Sequence, residues 1–278
     1  MGDARRWPRL LDGAAVLAVA VGATFLLDLV GLPSPALFGG LVAGLARGLA
    51  VSRRISVPGP VSSAAQAVIG VAIGALVDLE TLRAVGAEWL PVLGVTVATL
   101  MLSLVAGLLL RLQRGISPVT GAFSMIAGGA AGVTAMARDL GADQRMVATM
   151  QYLRVLLIVV LMPVVATVAY GASAGGVGPA AGGGETGWPA GLLFTVGCSV
   201  AGLVAGRLVQ LPVPALLGPM VAAAVVDLTG LGRGAEVPGL LESAAFLLIG
   251  LQVGVSFTRE SLRTIGRALP LALGVILD

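Results

Sequence analysis

The chain has 278 residues, of which 57% are hydrophobic and 11% charged, with 41 Gly, 15 Pro, no His and one Cys. Soluble domains carry about 45 to 50% apolar and about 25% charged residues, so this composition suits lipid and excludes a water-soluble enzyme or a soluble DNA-binding domain. All 17 basic residues are Arg against 14 acids; they are spread between apolar blocks, a pattern that orients membrane spans and does not make a nucleic-acid-binding face.

Stretches free of Asp, Glu, Lys and Arg occupy residues 13–27, 29–46, 55–77, 89–110, 115–137, 155–184, 186–206, 208–226, 243–258 and 268–277. A helix needs about 20 apolar residues to cross roughly 30 Å of hydrocarbon, and most of these stretches suffice once flanking polar heads reach the interface. Trp7, Trp89 and Trp188 each open an apolar block, as interfacial rings do. The block at 115–137 holds Gly128, Gly129 and Gly132 among small residues and is expected to be re-entrant or broken. Residues 171–187 are a Gly-rich linker. Asp78, Glu80 and Glu88 are expected in a solvated outer loop.

The chain also repeats itself near an offset of 180 residues. Trp7-Pro8 matches Trp188-Pro189, LPSPALFGG at 32–40 matches LPVPALLGP at 211–219, and IGVAIG at 69–74 matches IGLQVG at 249–254. Residues 57–83 and 237–263 share 12 identities in 27 positions. Two copies follow: 7–170, and 188–278 as a shorter second copy, since Asp278 falls near the level of Ala98 and the partner of 121–155 is missing. The second copy is therefore expected to be truncated.

Threading with a cytoplasmic N-terminus, and with 115–137 dipping in and returning, places 14 arginines inside and only Arg83 and Arg233 outside. Cytoplasmic loops carry the Arg excess, so this threading is favoured, and its odd number of crossings inverts the second copy. The expected fold is an all-α integral membrane protein of two tandem inverted repeats, each of about five transmembrane helices plus the Gly-rich segment. Inverted repeats are the build of many secondary transporters, whose sites lie at discontinuous helices near the midplane.

LPSPALFGGLVAG, LPVPALLGPM, the IGxxIG segments and AGGAAGVTAMARDLGAD followed by QYLR resemble the AbrB-duplication membrane protein family. The resemblance implies a polytopic bacterial inner-membrane protein with two tandem copies and a link to regulation of gene expression; it supplies no catalytic residues. Members also carry the label ammonia monooxygenase, which fits poorly with a chain lacking imidazole ligands.

Candidate solute-binding residues are Pro33 and Pro35 with their mirrors Pro212 and Pro214, where helix starts can face a solute. Gly128 and Gly129 allow close backbone approach. Gln151 and Arg154 lie one turn apart in the last span of the first copy, where a buried Arg is costly unless it serves the site, snorkels to the cytoplasmic interface or pairs with Asp139 or Asp143. Gly70, Gly74, Gly250 and Gly254 read as packing contacts, and Ser62, Ser63 and Gln66 as interhelical hydrogen bonds. No catalytic residue, metal site or cofactor is expected. Expected partners are the lipid bilayer and a small, preferably anionic solute, with no direct nucleic acid and a homo-oligomer left open. The function expected is a transporter-like permease; the alternative is a membrane-bound regulator or sensor of gene expression.

Overall fold

The computed structural model describes residues 7–31, 34–50, 57–109, 117–125, 187–232 and 234–257, together with 137, 140–143, 146, 147, 150, 151, 154, 158, 161 and 165. Every regular element among them is helical: α1 (Trp7–Leu29), α2 (Pro35–Ala50), α3 (Gly59–Gly74), α4 (Leu79–Ala87), α5 (Trp89–Leu109), α6 (Pro118–Met125), α7 (Trp188–Leu208), α8 (Pro214–Leu228) and α9 (Gly239–Ser256). The all-α class therefore holds. Expected features at 115–116, 126–136 and 166–186 lie outside the described residues, and so does most of the chain after Phe257.

Helix boundaries follow the Pro and Gly punctuation. Pro35 and Pro214 are the first residues of α2 and α8, where the ring's fixed φ suits a helix and its missing N–H has no internal partner. Pro58 and Pro238 hold extended backbone immediately before α3 and α9. Gly31 and Gly230 adopt left-handed φ values of 73° and 74° just past α1 and α8, which only a residue without Cβ does freely. Of the three acids expected in an outer loop, Asp78 and Glu88 flank α4 outside regular helix, while Glu80 is helical. Glu80 in the first turn of α4 suits the positive end of the helix dipole, and this local preference outweighs the polarity that suggested a loop.

The chain divides into two compact units: Met1–Leu79 with Pro163–Arg263, and Glu80–Met162 with Thr264–Asp278. The first contains α1, α2, α3, α7, α8 and α9. Its helices touch through glycine. A Cβ on Gly40 would strike the carbonyl of Leu247, one on Gly44 the carbonyl of Leu251, and one on Gly48 the carbonyl of Phe257. Numbers rise together on both helices, so α2 and α9 run parallel. Gly70 faces the Leu216 carbonyl and Gly74 that of Met220, so α3 and α8 are also parallel.

The remaining pairs are antiparallel. Gly39 lies on Ala20 and Thr24 while Arg47 reaches back to Asp12, so α1 opposes α2. Gly202 meets Pro219 and Gly206 meets Pro214, so α7 opposes α8. Ser62 bonds Gln252 while Ala65, Ile69 and Ala245 share one apolar cluster, so α3 opposes α9. With α2 pointing up, α7 and α9 also point up, while α1, α3 and α8 point down. Helices α1, α2 and α3 thus run opposite to α7, α8 and α9, respectively.

These contacts are also reciprocal. Gly250 faces the Leu37 carbonyl and Gly254 that of Leu41; shifting by the repeat offset turns these into Gly70 on Leu216 and Gly74 on Met220. Residue i touching j′ while i′ touches j is the signature of a two-fold relation. Such backbone-to-backbone approach is available only to small residues, the usual device where lipid gives helices no hydrophobic reason to associate. The packing role expected of these four glycines is the one found.

In the second unit, α5 packs against α6. From Trp89 to Val105 the residues of α5 are exposed around the whole circumference except at Ser103, and they include Leu90, Val95, Met101 and Leu102. The hydroxyls of Thr96 and Thr99 turn back to the carbonyls of Val92 and Val95 at 2.8 Å, so they present no free donor outward. Three helices, at Asp12–Leu29, Trp188–Leu208 and Gly239–Ser256, are long and apolar enough to cross a membrane by length and composition. The described residues thus fall short of five spans per copy.

Candidate functional site

The glycine contacts fix levels along the first unit. The reciprocal centre of α3 and α9 falls at Ala67 and Leu247, which are equivalent in the repeat and both buried. Counting back along α2 from Gly40, and along α8 from the residues facing Gly70, puts Pro35 and Pro214 within about 5 Å of that level at 1.5 Å per residue. From there α2 and α8 run away in opposite directions. Both proline-opened N-termini, with their positive dipole ends, therefore start near the middle of the six-helix unit, the Leu37 and Leu216 N–H groups bonding the Ser34 and Val213 carbonyls at 3.0 and 3.1 Å.

Polar groups line the same crossing. The Ser62 hydroxyl donates to Gln252 Oε1 at 2.7 Å, and Gln66 Nε2 donates to Ser62 Oγ at 3.4 Å. Gln66 is about level with Pro214. Ser62 thus makes the interhelical bond expected of it, whereas the bond of Gln66 stays within α3; Gln252, the partner of Ser62 190 residues away, does not stand out in the sequence as a site residue. Its signal is visible in the repeat: Gln252 stands opposite Ala72, a polar residue where the other copy is apolar.

Among the expected site residues, Pro35 and Pro214 come to one level as first helical residues, and Pro212 is exposed in the turn before α8. Pro33, Gly128 and Gly129 lie outside the described residues. Gln151 and Arg154 are helical and belong to the second unit. Gln151 is 2% exposed, and its amide donates to the Phe123 carbonyl in α6 at 3.0 Å. Beside it, Thr120 Oγ1 accepts from the Asp143 backbone N–H at 3.0 Å and shares a hydrogen bond with Ser117, while Asp143 Oδ1 accepts from the Met146 N–H at 3.2 Å. Gln151 and Asp143 thus pin α6 to the segment after it. Arg154 is half-buried.

Sequence reasoning also missed an ion pair. Arg47 donates through Nε to Asp12 Oδ1 at 3.0 Å and through Nη2 to Asp12 Oδ2, tying α2 to α1. The Arg47 side chain is 10% exposed, and its Nη1 has no hydrogen-bond partner among the described residues. Among the described residues, no group of three or more His, Cys, Asp or Glu could hold a metal ion.

Residues 36–277 match the family described as Transition state regulatory protein AbrB. This chain belongs to the AbrB family. It is 33% identical over 248 residues to a protein of Escherichia coli (strain K12) named "Putative regulator AbrB", a match covering 87% of this chain and 68% of that one. No solved structure matches it. Both names are those of regulators, in keeping with the reading that the chain is not an enzyme, and neither is that of an oxygenase.

The AbrB match corrects one expectation. The apolar composition and the dispersed arginines argue against nucleic acid as a partner. Membership of a family named for regulation overturns that exclusion. Composition reports what surrounds the helices; it does not report which molecules the connections between them reach.

Proposed function

We propose that this AbrB-family chain is a membrane-embedded regulator of gene expression. The regulator names of its family and its Escherichia coli relative carry this reading. The membrane part draws support from three long apolar helices, from the all-round apolar surface of α5 with its inward-turned threonines, and from glycine-mediated helix contacts. On this reading the chain is a multi-pass protein of the bacterial inner membrane with a cytoplasmic N-terminus. It consists of a first repeat at 7–170, a linker at 171–187 and a second, inverted repeat at 188–278.

A sensor also needs something to sense. The second reading, a transporter-like scaffold for a small solute, draws its support from the two proline-opened helix starts at the level of the α3–α9 crossing, an arrangement familiar in inverted-repeat transporters. Pro33, Pro35, Pro212 and Pro214 are the candidate solute contacts in this scheme, as are Gly128, Gly129, Gln151 and Arg154. An anion suits both helix dipoles and Arg154.

Deleting the gene and measuring the transcriptome, alongside flux of candidate anions into vesicles bearing the purified protein, separates the readings. Regulation predicts a prompt, reproducible change in a defined set of transcripts without flux. Flux with an unchanged transcriptome would overturn it. Mixing the protein in lipid nanodiscs with DNA from the responding promoters then shows whether it touches nucleic acid itself.

A further inference from the structure

The repeat supplies an internal control for the polar contacts at the α3–α9 crossing. At the offset of that segment, Ser62, Gln66 and Gln252 stand opposite Glu242, Phe246 and Ala72. Gly70 and Gly74 face the carbonyls of Leu216 and Met220, and Gln66 lies one turn before Gly70 on the same stripe, so it faces the turn that opens α8. By the same count Phe246 faces the turn that opens α2, and it packs there against the cluster of Ala20, Ala36 and Ala43. One helix start is thus covered by an aromatic ring, while the other meets an amide. Ala72, where Gln252 has its equivalent, packs in an apolar cluster with Val71, Phe194 and Cys198. That end of the crossing holds together without the hydrogen bond, so packing alone does not require one at the other end.

The polar end also has hydrogen-bonding groups to spare. Gln66 Nε2 donates to Ser62 and Ser62 to Gln252 Oε1, which leaves Gln66 Oε1 and both N–H groups of Gln252 without a partner among the described residues. Neither atom is sealed off, because the buried side-chain atoms without a partner among the described residues belong to Arg47 and Ser199. Gln252 lies five residues beyond Leu247, about 8 Å along the helix from the centre of the crossing and inside roughly 30 Å of hydrocarbon. Open amide atoms at that depth are costly against lipid, so water or a solute meets them. We propose that Ser62, Gln66 and Gln252 form a solute-contacting site, and that it takes a small carboxylate. The Gln252 N–H groups donate to the carboxylate, and Ser62, by holding Oε1, fixes which edge of the amide faces it. Gln66 Oε1 accepts from a hydroxyl or a water beside it. Neither α3 nor α9 contains a basic residue, so neutral donors from these helices hold the anion. At the other end Glu242 replaces Ser62 and repels an anion, so the site exists once.

This inference rests on the solute reading above. Its test uses the full chain in nanodiscs with Cys198→Ala, which removes the one native cysteine. Ser62→Cys, a nearly isosteric change, Gln252→Cys and Ala72→Cys are each treated with a sulfonate-bearing methanethiosulfonate, which reacts with thiols that water reaches. Thiols at 62 and 252 should react about tenfold faster than the one at 72, which is packed among apolar side chains. Equal rates at all three positions would overturn the site. The ligand class is read from Ser256→Cys, one turn beyond Gln252, modified in saturating formate, acetate or lactate with chloride at equal ionic strength as the reference. At least one carboxylate should slow the reaction about fivefold by occupying the site, and Gln252→Leu should abolish the slowing. Should that variant not fold, Ser62→Ala serves instead, since the released amide loses its fixed orientation and the slowing should weaken. No slowing by any of the three, or slowing that survives both variants, would overturn the assignment. Failure of transport itself shows separately: slowing at 256 without flux of labelled lactate into vesicles supports the site and contradicts a permease, whereas lactate flux that Gln252→Leu leaves intact sinks the site alone.

Discussion

Valine in place of Gly250 is expected to destabilise the protein by about 3 kcal/mol or more, at or beyond the top of the usual range for overpacking. Ordinarily an added methyl in a core is absorbed by a neighbouring side chain changing rotamer. Here a Cβ would meet the Leu37 carbonyl and the Leu41 amide nitrogen, and backbone can yield only if α2 moves as a body. Gly70→Val should cost a similar amount, because it drives a side chain into the equivalent Leu216 carbonyl and Met220 nitrogen. Gly22 is the control: it sits inside α1 with nothing within 4 Å of a built Cβ, so Gly22→Ala should be neutral or stabilising by up to about 1 kcal/mol through helix propensity. Thermal unfolding in detergent, followed by size-exclusion chromatography, measures all three. Tolerance of valine at Gly250 would mean that α2 and α9 do not touch through their backbones.

Much of this arrangement is legible in the sequence, because apolar helices show as uncharged blocks, and Pro and Gly stand as punctuation where the backbone needs them. The sequence predicts opposed copies from where the arginines fall under the positive-inside rule; what the structure gives is the directions of six helices, α1, α2 and α3 running opposite to α7, α8 and α9. The exchange of partners was not legible: α2 packs on α9 and α8 on α3, across copies, because an offset says which residues are alike and not which ones touch. Asp12 and Arg47, 35 residues apart, each read as a polar head at a span end, and only the fold joins them. Gln252 escapes notice for a similar reason. Glu80 reads as part of a loop because an exposed helix and a solvated loop have similar polarity.

The second large effect is expected in the other unit. Gln151→Leu keeps the side-chain volume but removes the amide that serves the Phe123 carbonyl, and a buried acceptor stripped of its donor costs about 1 to 3 kcal/mol. Gln151→Glu should cost more, since it brings a carboxylate against a carbonyl oxygen at a site only 2% exposed. The damage should be local: hydrogen exchange should quicken across Pro118–Met125 while α2 and α9 keep their protection. If exchange rises equally in both units, Gln151 supports the whole molecule and its contact with Phe123 is incidental.

Opposed copies in a membrane are the claim on which the rest depends, and sidedness of labelling tests it most directly. Gly59, at the start of α3, has open space around a built Cβ, and Leu240, the second residue of α9, is 80% exposed. Each is changed singly to Cys in a Cys198→Ala background and treated with a membrane-impermeant maleimide in intact and in inverted vesicles. The account predicts that the cysteine at 59 reacts from the cytoplasmic face and the one at 240 from the opposite face. Labelling of both from one face would contradict it.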